Sequence, residues 1–254
     1  MPAGNVTAVL SAGTLAIVAT DLLTPQAVLD GLNNQDISVV GNGAGNFTVS
    51  GNNNTTVNGL IDVQFANVTN IRIDMRLGND KAVVLAANLP GTLTFLGGDG
   101  NNTLTVDGNE GAQTFGAITV NNGDGNDTLQ IISGITTIKG ALIINNGVGD
   151  SDVTLNRAAS ADELTAGGIS LLNGDGRDEF HVFGNRLTVT GTMTIDHGTS
   201  AFTDTDITAK TISLGGLLSV NNLDGTDNFK LGAAGGTVSG RPQHLALTTQ
   251  EPLS

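Results

Sequence analysis

The sequence predicts an all-β fold: a single-stranded parallel β-helix (β-solenoid) with about three short strands in each turn of about 24 residues. The first observation is alternation of apolar and polar residues on both sides of a Gly/Asn/Asp loop, which is typical of strands with one buried face. The second is composition, because 39% of residues are hydrophobic but only 3% are aromatic, which suits a narrow aliphatic core. The third is a glycine that recurs at spacings of 25, 24, 27, 24 and 25 residues, at Gly91, Gly116, Gly140, Gly167, Gly191 and Gly216.

The clearest copy of the repeat begins at Gly116. Its predicted first strand is Ala117–Val120, its second is Thr128–Ile131 and its third is Ile135–Lys139. Glycines in the loop at Asn121–Asp127 allow a sharp turn, since glycine tolerates positive φ. One turn cannot bury its own apolar face, but stacked turns form a continuous core. A β-sandwich also has short strands at regular spacing, but it does not require so strict a repeat.

The inward positions of these strands follow from the alternation. Each such side chain contributes about 1.5–3 kcal/mol when it is fully buried. A loop asparagine recurs at Asn121, Asn145 and Asn221, with Asn173 close by, and predicts a ladder of stacked amides. The first strands place inward Leu93/Phe95, Ile118/Val120, Leu142/Ile144, Ile169/Leu171, Met193/Ile195 and Leu218/Val220. The second strands place inward Leu104/Val106, Leu129/Ile131, Val153/Leu155, Phe180/Val182 and Phe229/Leu231.

Three segments are expected along the chain. Residues 1–68 should hold N-terminal strands, irregular first turns and a short capping helix near residues 25–32, because Thr24 and Pro25 suit a helix start. The apolar stretch Val6–Leu23 is interpreted as strands rather than a signal peptide or membrane span, since polar residues interrupt it. Residues 69–231 should form the regular repeat. Residues 232–254 are expected to be a C-terminal tail without strands, because prolines interrupt them.

Charge and cysteine content exclude several kinds of site. The formal net charge is −14, from 24 acidic against 10 basic residues, and this disfavours nucleic acid and anionic membrane as partners. No membrane insertion is expected. The chain has no Cys, which excludes disulfides and thiolate metal sites. The acidic balance remains compatible with bound cations.

The loop Gly123-Asp124-Gly125-Asn126-Asp127-Thr128-Leu129 resembles the Gly- and Asp-rich calcium-binding repeat of RTX (hemolysin-type) proteins. More generally, the chain resembles right-handed parallel β-helix repeat proteins of the secreted bacterial type. The resemblance implies Ca²⁺ between stacked loops, although the RTX motif recurs every nine residues and this one after about 24. The candidate metal ligands, expected along one edge, are Asp99, Asp124, Asp127, Asp175, Asp178, Asp224 and Asp227. The alternative interpretation is that these residues only form solvated turns.

An enzymatic role is the alternative from another class, since β-helices include polysaccharide lyases and hydrolases. Such a site needs paired carboxylates, or a carboxylate with a base. The densest candidates are Arg177, Asp178, Glu179 and His181. His181 alternates with apolar residues that are expected in the core, so its side chain should point outward. The chain also has no Trp or Tyr on which a sugar could stack. We therefore assign no catalytic residue and do not expect an enzyme.

The outward positions of the first strands carry no charge in six successive turns. Such a face predicts a contact surface for another copy, a neighbouring domain or ice, although Thr is also simply a good strand former. The expected function is an extracellular or cell-surface structural or adhesive module, calcium-stabilised and self-associating through this face or its open ends. A surface glycan or protein is the other expected partner, and ice binding is a lesser alternative. The positions are Thr92/Thr94, Ala117/Thr119, Ala141/Ile143, Gly168/Ser170, Thr192/Thr194 and Leu217/Ser219.

Overall fold

A computed structural model describes residues 4–20, 33–43, 45–157, 161–200, 202–222, 226–232, 237–240 and 245–249. These residues contain no helix, and therefore none that is long and apolar enough to cross a membrane. Their strands wind into a β-solenoid of about six turns, which confirms the predicted fold class. The predicted capping helix near residues 25–32 lies outside the described residues.

The strands form an irregular N-terminal group and a regular group. The first group is β1 (Gly4–Ser11), β2 (Thr14–Ala19), β3 (Asp36–Gly41), β4 (Phe47–Gly51), β5 (Thr55–Val57) and β6 (Asp62–Phe65). The second group is β7 (Asn70–Asp74), β8 (Lys81–Leu85), β9 (Asn88–Gly98), β10 (Thr103–Asp107), β11 (Ala112–Asn122), β12 (Asp127–Ile132), β13 (Ile135–Asn145), β14 (Ser151–Leu155), β15 (Glu163–Leu172), β16 (Arg177–Val182), β17 (Arg186–Val189), β18 (Met193–Asp196), β19 (Phe202–Ile207), β20 (Thr211–Leu214), β21 (Leu218–Asn222), β22 (Thr226–Leu231), β23 (Thr237–Gly240) and β24 (Leu245–Thr249).

The strands of the regular turns pair in parallel within two sheets. The second strand of each turn belongs to a ten-stranded sheet that runs from β22 through β16, β12 and β8 to β6. The first and third strands belong to a fourteen-stranded sheet. In the early turns, the third strand of one turn continues into the first strand of the next, with a register shift such as that between Ile138 and Ala141 of β13. In later turns the two are separate, as β17 and β18.

The core contains the predicted inward residues. Ile118 and Leu142 are paired neighbours on β11 and β13, as the repeat requires. Every inward residue predicted from Leu93 to Val220 is buried, whereas Phe229 and Leu231 are partly buried against the core. One turn departs from the pattern, because β19 places Thr205 beside Phe180. This buried threonine was not recognised from the sequence.

The recurring glycines that begin each repeat stack in one column, and the reason is close packing between turns. A Cβ atom on Gly140 would lie 2.8 Å from the carbonyl oxygen of Gly116, and one on Gly167 would lie 2.6 Å from that of Gly140. Contacts at these distances would force the turns apart. Loop glycines carry a second constraint, since Gly125 has a φ of 141° that other residues rarely adopt.

The N-terminal strands cover the first regular turn. The stretch from Val6 forms strands, as predicted: β1 and β2 are an antiparallel hairpin that turns at Ala12 and Gly13, and β2 pairs in parallel with β7. β3, β4 and β6 form a second antiparallel layer, whose β3 pairs with β8. The end of the stack is therefore covered by strands that do not follow the repeat.

The expectation that no strand forms after Gly232 is wrong. β23 pairs in parallel with β20, and β24 with β21, so the stack continues beyond the regular repeat. The physical reason is the position of Pro242, which falls between these two strands in sequence and therefore removes no hydrogen bond from either.

Candidate functional site

The Gly/Asn/Asp loops of successive turns stack and bring their polar side chains into three columns. The outer loop column contains exposed acids, and the inner loop column contains buried polar residues at or next to the start of the second strands. The outer loop column is Asp99, Asp124 and Asp175, with Val148 in place of an acid. The middle loop column is Asn34, Asn79, Asn101, Asn126 and Asp150. The inner loop column is Asp80, Asn102, Asp127, Ser151, Asp178 and Thr203.

The middle loop column joins each loop to the next through the backbone. The side-chain oxygen of Asn101 accepts the backbone N–H of Asn126 at 2.8 Å, and that of Asn126 accepts the N–H of Asp150 at 3.0 Å. Asp150 accepts the N–H of Arg177 in the same way at 3.0 Å. These side chains supply hydrogen bonds that the loop backbones need between turns. The recurring Asn is thus explained by stacking.

The outer loop column has a similar, less regular role. Asp99 Oδ1 accepts the backbone N–H of Asp124 at 3.3 Å, and Asp124 Oδ1 accepts that of Val148 at 3.1 Å. Asp175 accepts the hydroxyl of Thr199 in the following turn. These carboxylates stay exposed and therefore keep their second oxygen available to solvent or a cation.

The inner loop column shows that the expected single edge of acids is wrong. Asp127 is 3% exposed and Asp178 is 1% exposed, so both are separated from the exposed acids of the outer loop column. Asp127 lies on the same face of β12 as the buried Leu129 and Ile131, so its side chain points inward. Asp127 Oδ1 accepts the backbone N–H of Asn102 at 2.9 Å, and Asp178 Oδ1 accepts the hydroxyl of Ser151 at 2.7 Å.

Burial changes the proton affinity of these two inner carboxyls. Desolvation raises the pKa of Asp127 to about 6, although hydrogen bonds from Asn102 oppose the change. Desolvation also raises the pKa of Asp178 to about 6, against hydrogen bonds from Ser151 and Ser200. Within the part of the chain that the structure describes, Asp127 Oδ2 has no hydrogen-bond partner. Ionising these two carboxyls therefore costs more free energy in the native fold than in the unfolded chain.

Calcium stays a prediction. In the described ranges, no three His, Asp or Glu side chains converge to hold a metal ion. Ca²⁺ needs six to eight oxygen ligands. The loops meet this requirement only in part, because each turn supplies one exposed carboxylate. The outer pair Asp99 and Asp124 fits best. Asp224 lies outside the described residues, as does the side chain of Asp227.

Three of the four residues considered for catalysis, Arg177, Glu179 and His181, lie together on the outer side of β16, but Asp178 does not join them. His181 points outward, as predicted, where its ring stacks on Phe183 with 5.4 Å between ring centroids. Its Nε2 lies 3.5 Å from Glu179 Oε2, and Arg177 pairs with the same carboxylate at 2.6 Å. Asp178 is on the opposite, inner side of the strand. A carboxylate pair of the kind that glycoside hydrolysis needs is therefore not formed by Asp178 and Glu179.

The predicted asparagine ladder is present but divided between two columns. Asn145 Nδ2 donates to Asn121 Oδ1 at 2.7 Å, as expected. Asn173 belongs instead to a neighbouring column, in which Asn146 Nδ2 donates to Asn173 Oδ1 at 2.8 Å. In the first column Leu172 is paired beside Asn145, so the amide contacts end there.

Asp162, which the repeat pattern does not single out, holds a loop together. Its carboxylate accepts the backbone N–H groups of Ser133, Gly134 and Arg157, and it pairs with the Arg157 guanidinium at 3.1 Å. Arg157 also pairs with Glu110 at 2.6 Å. The available signal was the spacing from Gly140 to Gly167, which is 27 residues where the neighbouring spacings are 24.

The outward positions of the first strands form one uncharged surface, which we call the first-strand face. Cross-strand pairing aligns the second outward position of each turn. Two apolar side chains stand out from the face, since Ile143 is 37% exposed and Leu217 is 36% exposed. The aligned residues are Thr94, Thr119, Ile143, Ser170, Thr194 and Ser219.

Comparison with protein-family models, with curated proteins and with solved structures finds no match for this chain. Two features of the geometry can carry a functional argument. One is the acidic outer loop column, and the other is the first-strand face.

Proposed function

We propose that this chain is a structural module of an extracellular or cell-surface protein and that copies of it associate through the first-strand face. The observation that carries the proposal is the lack of charge on that face in a chain with a net charge of −14. Two such chains repel each other through most of their surfaces. An uncharged face with exposed Ile143 and Leu217 offers the least unfavourable approach.

The size of the first-strand face sets the strength of this association. Four residues of strand span about 13 Å and six turns span about 29 Å, which gives a flat area of roughly 400 Å². A stable interface buries about 800 Å² on each partner. A single contact is therefore weak, and adhesion needs many copies held together on a surface.

The double substitution Ile143→Lys with Leu217→Lys is expected to abolish self-association, because it places like charges in the contact. The measurement is sedimentation velocity across a range of protein concentrations. Gln130→Lys is the matched control, since Gln130 lies on the outer side of β12 in the other sheet and should leave association unchanged. A wild-type chain that stays monomeric at millimolar concentration, or a double variant that associates equally well, would contradict the proposal.

We further propose that Ca²⁺ stabilises the module at the outer loop column. The support is the stacking of Asp99 and Asp124 in successive turns, where a cation reduces the repulsion of two exposed carboxylates. A ligand that binds only the native state stabilises that state. The test uses 10 mM calcium, which is about ten times the Kd of a weak site. The melting temperature should then rise by several degrees.

The calcium experiment compares thermal unfolding in calcium with unfolding in a chelator, followed by circular dichroism. Asp124→Asn should remove most of the increase and leave the core untouched, whereas Asp204→Asn on another face should not. If magnesium or sodium raises the melting temperature equally, the effect is general screening and specific calcium binding is excluded.

A further inference from the structure

β6 is the last strand of the ten-stranded sheet and pairs with β4 on one side. At the start of this pairing, the Gly51 N–H donates to Ile61 O at 2.8 Å. Bonded pairs alternate in an antiparallel ladder, so Ile61 and every second residue after it turn their peptide groups toward β4. The N–H and C=O groups of Asp62 and Gln64 therefore face the open edge, and no other described residue bonds them.

The side chains along this edge are exposed as well. Val63 and Phe65 are only partly buried against the core. Ile61 lies on the same face of the strand by alternation, yet it is 76% exposed. The two polar side chains of β6 are exposed on the opposite face. The edge thus presents free backbone groups between an apolar face and a polar face.

β6 lacks the features by which edge strands usually prevent further pairing. Such strands carry Lys or Pro, or are bent by a bulge. β6 has the sequence Asp-Val-Gln-Phe, and its pairing with β4 runs without a register shift. An added strand therefore finds a regular hydrogen-bonding edge.

Charge determines which kind of strand this edge attracts. The first 71 residues contain four Asp and no Glu, Lys or Arg, and Asp62 lies on β6 itself. A second copy of the chain would bring a net charge of −14 toward the same end. A basic segment is instead attracted to this end of the molecule.

We propose that β6 is a docking edge for an extended, basic segment of a partner protein, which adds to the ten-stranded sheet as a further strand. The backbone of the segment bonds Asp62 and Gln64. Its apolar side chains cover Ile61 and Val63, and its Lys or Arg side chains lie beside Asp62 on the other face. This edge is separate from the first-strand face, which belongs to the fourteen-stranded sheet.

The first test uses a fluorescein-labelled peptide of eight residues in which Lys and Val alternate, with both termini blocked. Fluorescence anisotropy should show saturable binding to the wild-type chain. A control peptide with four Lys followed by four Val has the same charge but no alternating faces, and it should bind at least about tenfold more weakly. Equal binding of the two peptides would show general charge attraction and overturn the proposal.

The second test changes the edge itself. Gln64→Pro removes an N–H that faces away from β4, which is a position where edge strands tolerate Pro. Binding of the alternating peptide should weaken by at least about tenfold. Gln64→Ala keeps that N–H and is the matched control, which should bind as the wild type does. Equal binding by the two variants would overturn the proposal.

Amide hydrogen exchange followed by NMR tests the wild-type chain without relying on the folding of a variant. The N–H groups of Asp62 and Gln64 should exchange fast in the free chain and become protected when the alternating peptide binds, whereas that of Val63 is protected in both states. Binding without this protection would place the peptide elsewhere and overturn the proposal. Protection that appears on raising the protein concentration without peptide would make a second copy the occupant, and would equally overturn it.

Discussion

Replacing Asp162 with alanine is expected to lower the free energy of unfolding by about 3–5 kcal/mol, because it removes the acceptor of several buried donors. Asp162 is 1% exposed and accepts backbone N–H groups from Ser133, Gly134 and Arg157 at 2.8–3.1 Å. Alanine would leave these donors without the carboxylate and the Arg157 guanidinium without its buried partner. The loop within the longest repeat, from Gly140 to Gly167, would no longer be held closed by these bonds.

Urea unfolding followed by far-ultraviolet circular dichroism measures this effect. Asp152→Ala is the matched control, since Asp152 lies on the outer side of β14, where Thr154 donates to it at 3.2 Å. The control should change stability by less than about 1 kcal/mol. Equal losses in the two variants would show that Asp162 is only a surface turn residue.

The pH dependence of the Asp162 effect follows from its bonds. Burial alone raises its pKa, but the hydrogen bonds from Arg157, Gly134 and Ser133 outweigh burial and lower the pKa to about 2. The stabilisation is therefore present above the unfolded value of about 3.9 and is lost as pH falls toward 2. The difference between wild type and Asp162→Ala should shrink in that range.

The repeat and the core could be predicted because both signals are local and recur. Alternation around Ile118 and Val120 gives the buried face of one strand, and the same pattern some 24 residues later gives the next turn. Each copy supports the others, so an error in one turn does not change the fold. The close contact of Gly140 with Gly116 follows from the same register.

Features that occur in a single turn could not be predicted in this way. Asp162 has no equivalent in neighbouring turns, and its donors are up to 29 residues away in sequence. Thr205 occupies a position that an apolar residue fills in other turns. The alternation of apolar and polar residues alone therefore does not predict that it is buried. The inward position of Asp127 was available by counting back two residues from Leu129. That position was missed because the resemblance to a calcium-binding loop grouped Asp127 with the acids expected along one edge.

Asp127 can be compared with Asn102, its equivalent one turn earlier. Asn102 Nδ2 donates to the carbonyl oxygens of Gly98 and Gly100, at 3.0 and 2.9 Å. By equivalence of the loops, we expect Asp127 Oδ2, which is buried without a hydrogen-bond partner among the described residues, to face the corresponding carbonyl groups of its own loop. Those carbonyl oxygens would repel an ionised carboxylate. A protonated carboxyl can donate there, as Asn102 does. Desolvation is what raises the pKa of Asp127, and the expected carbonyl neighbours would favour the protonated form in the same direction.

Asp127→Asn is therefore expected to stabilise the fold by about 2–3 kcal/mol at pH 8, because the amide donates where the carboxylate cannot. The native pKa of about 6 lies above the unfolded value of about 3.9, so the native state holds its proton more tightly. The contribution of Asp127 is fully present below about pH 4 and is lost as pH rises through 6. The gain from Asp127→Asn should accordingly disappear at pH 4.

Urea unfolding of wild type and Asp127→Asn at pH 4, 6 and 8 measures this difference. Asp99→Asn is the control, since Asp99 is exposed in the outer loop column and should show no comparable gain at pH 8. Calcium is removed by a chelator throughout, so that the outer loops do not contribute. A variant that is less stable than wild type at pH 8 would mean that the Asp127 carboxylate is ionised and favourably paired. That result would contradict the structure, in which the buried Asp127 Oδ2 has no hydrogen-bond partner among the described residues.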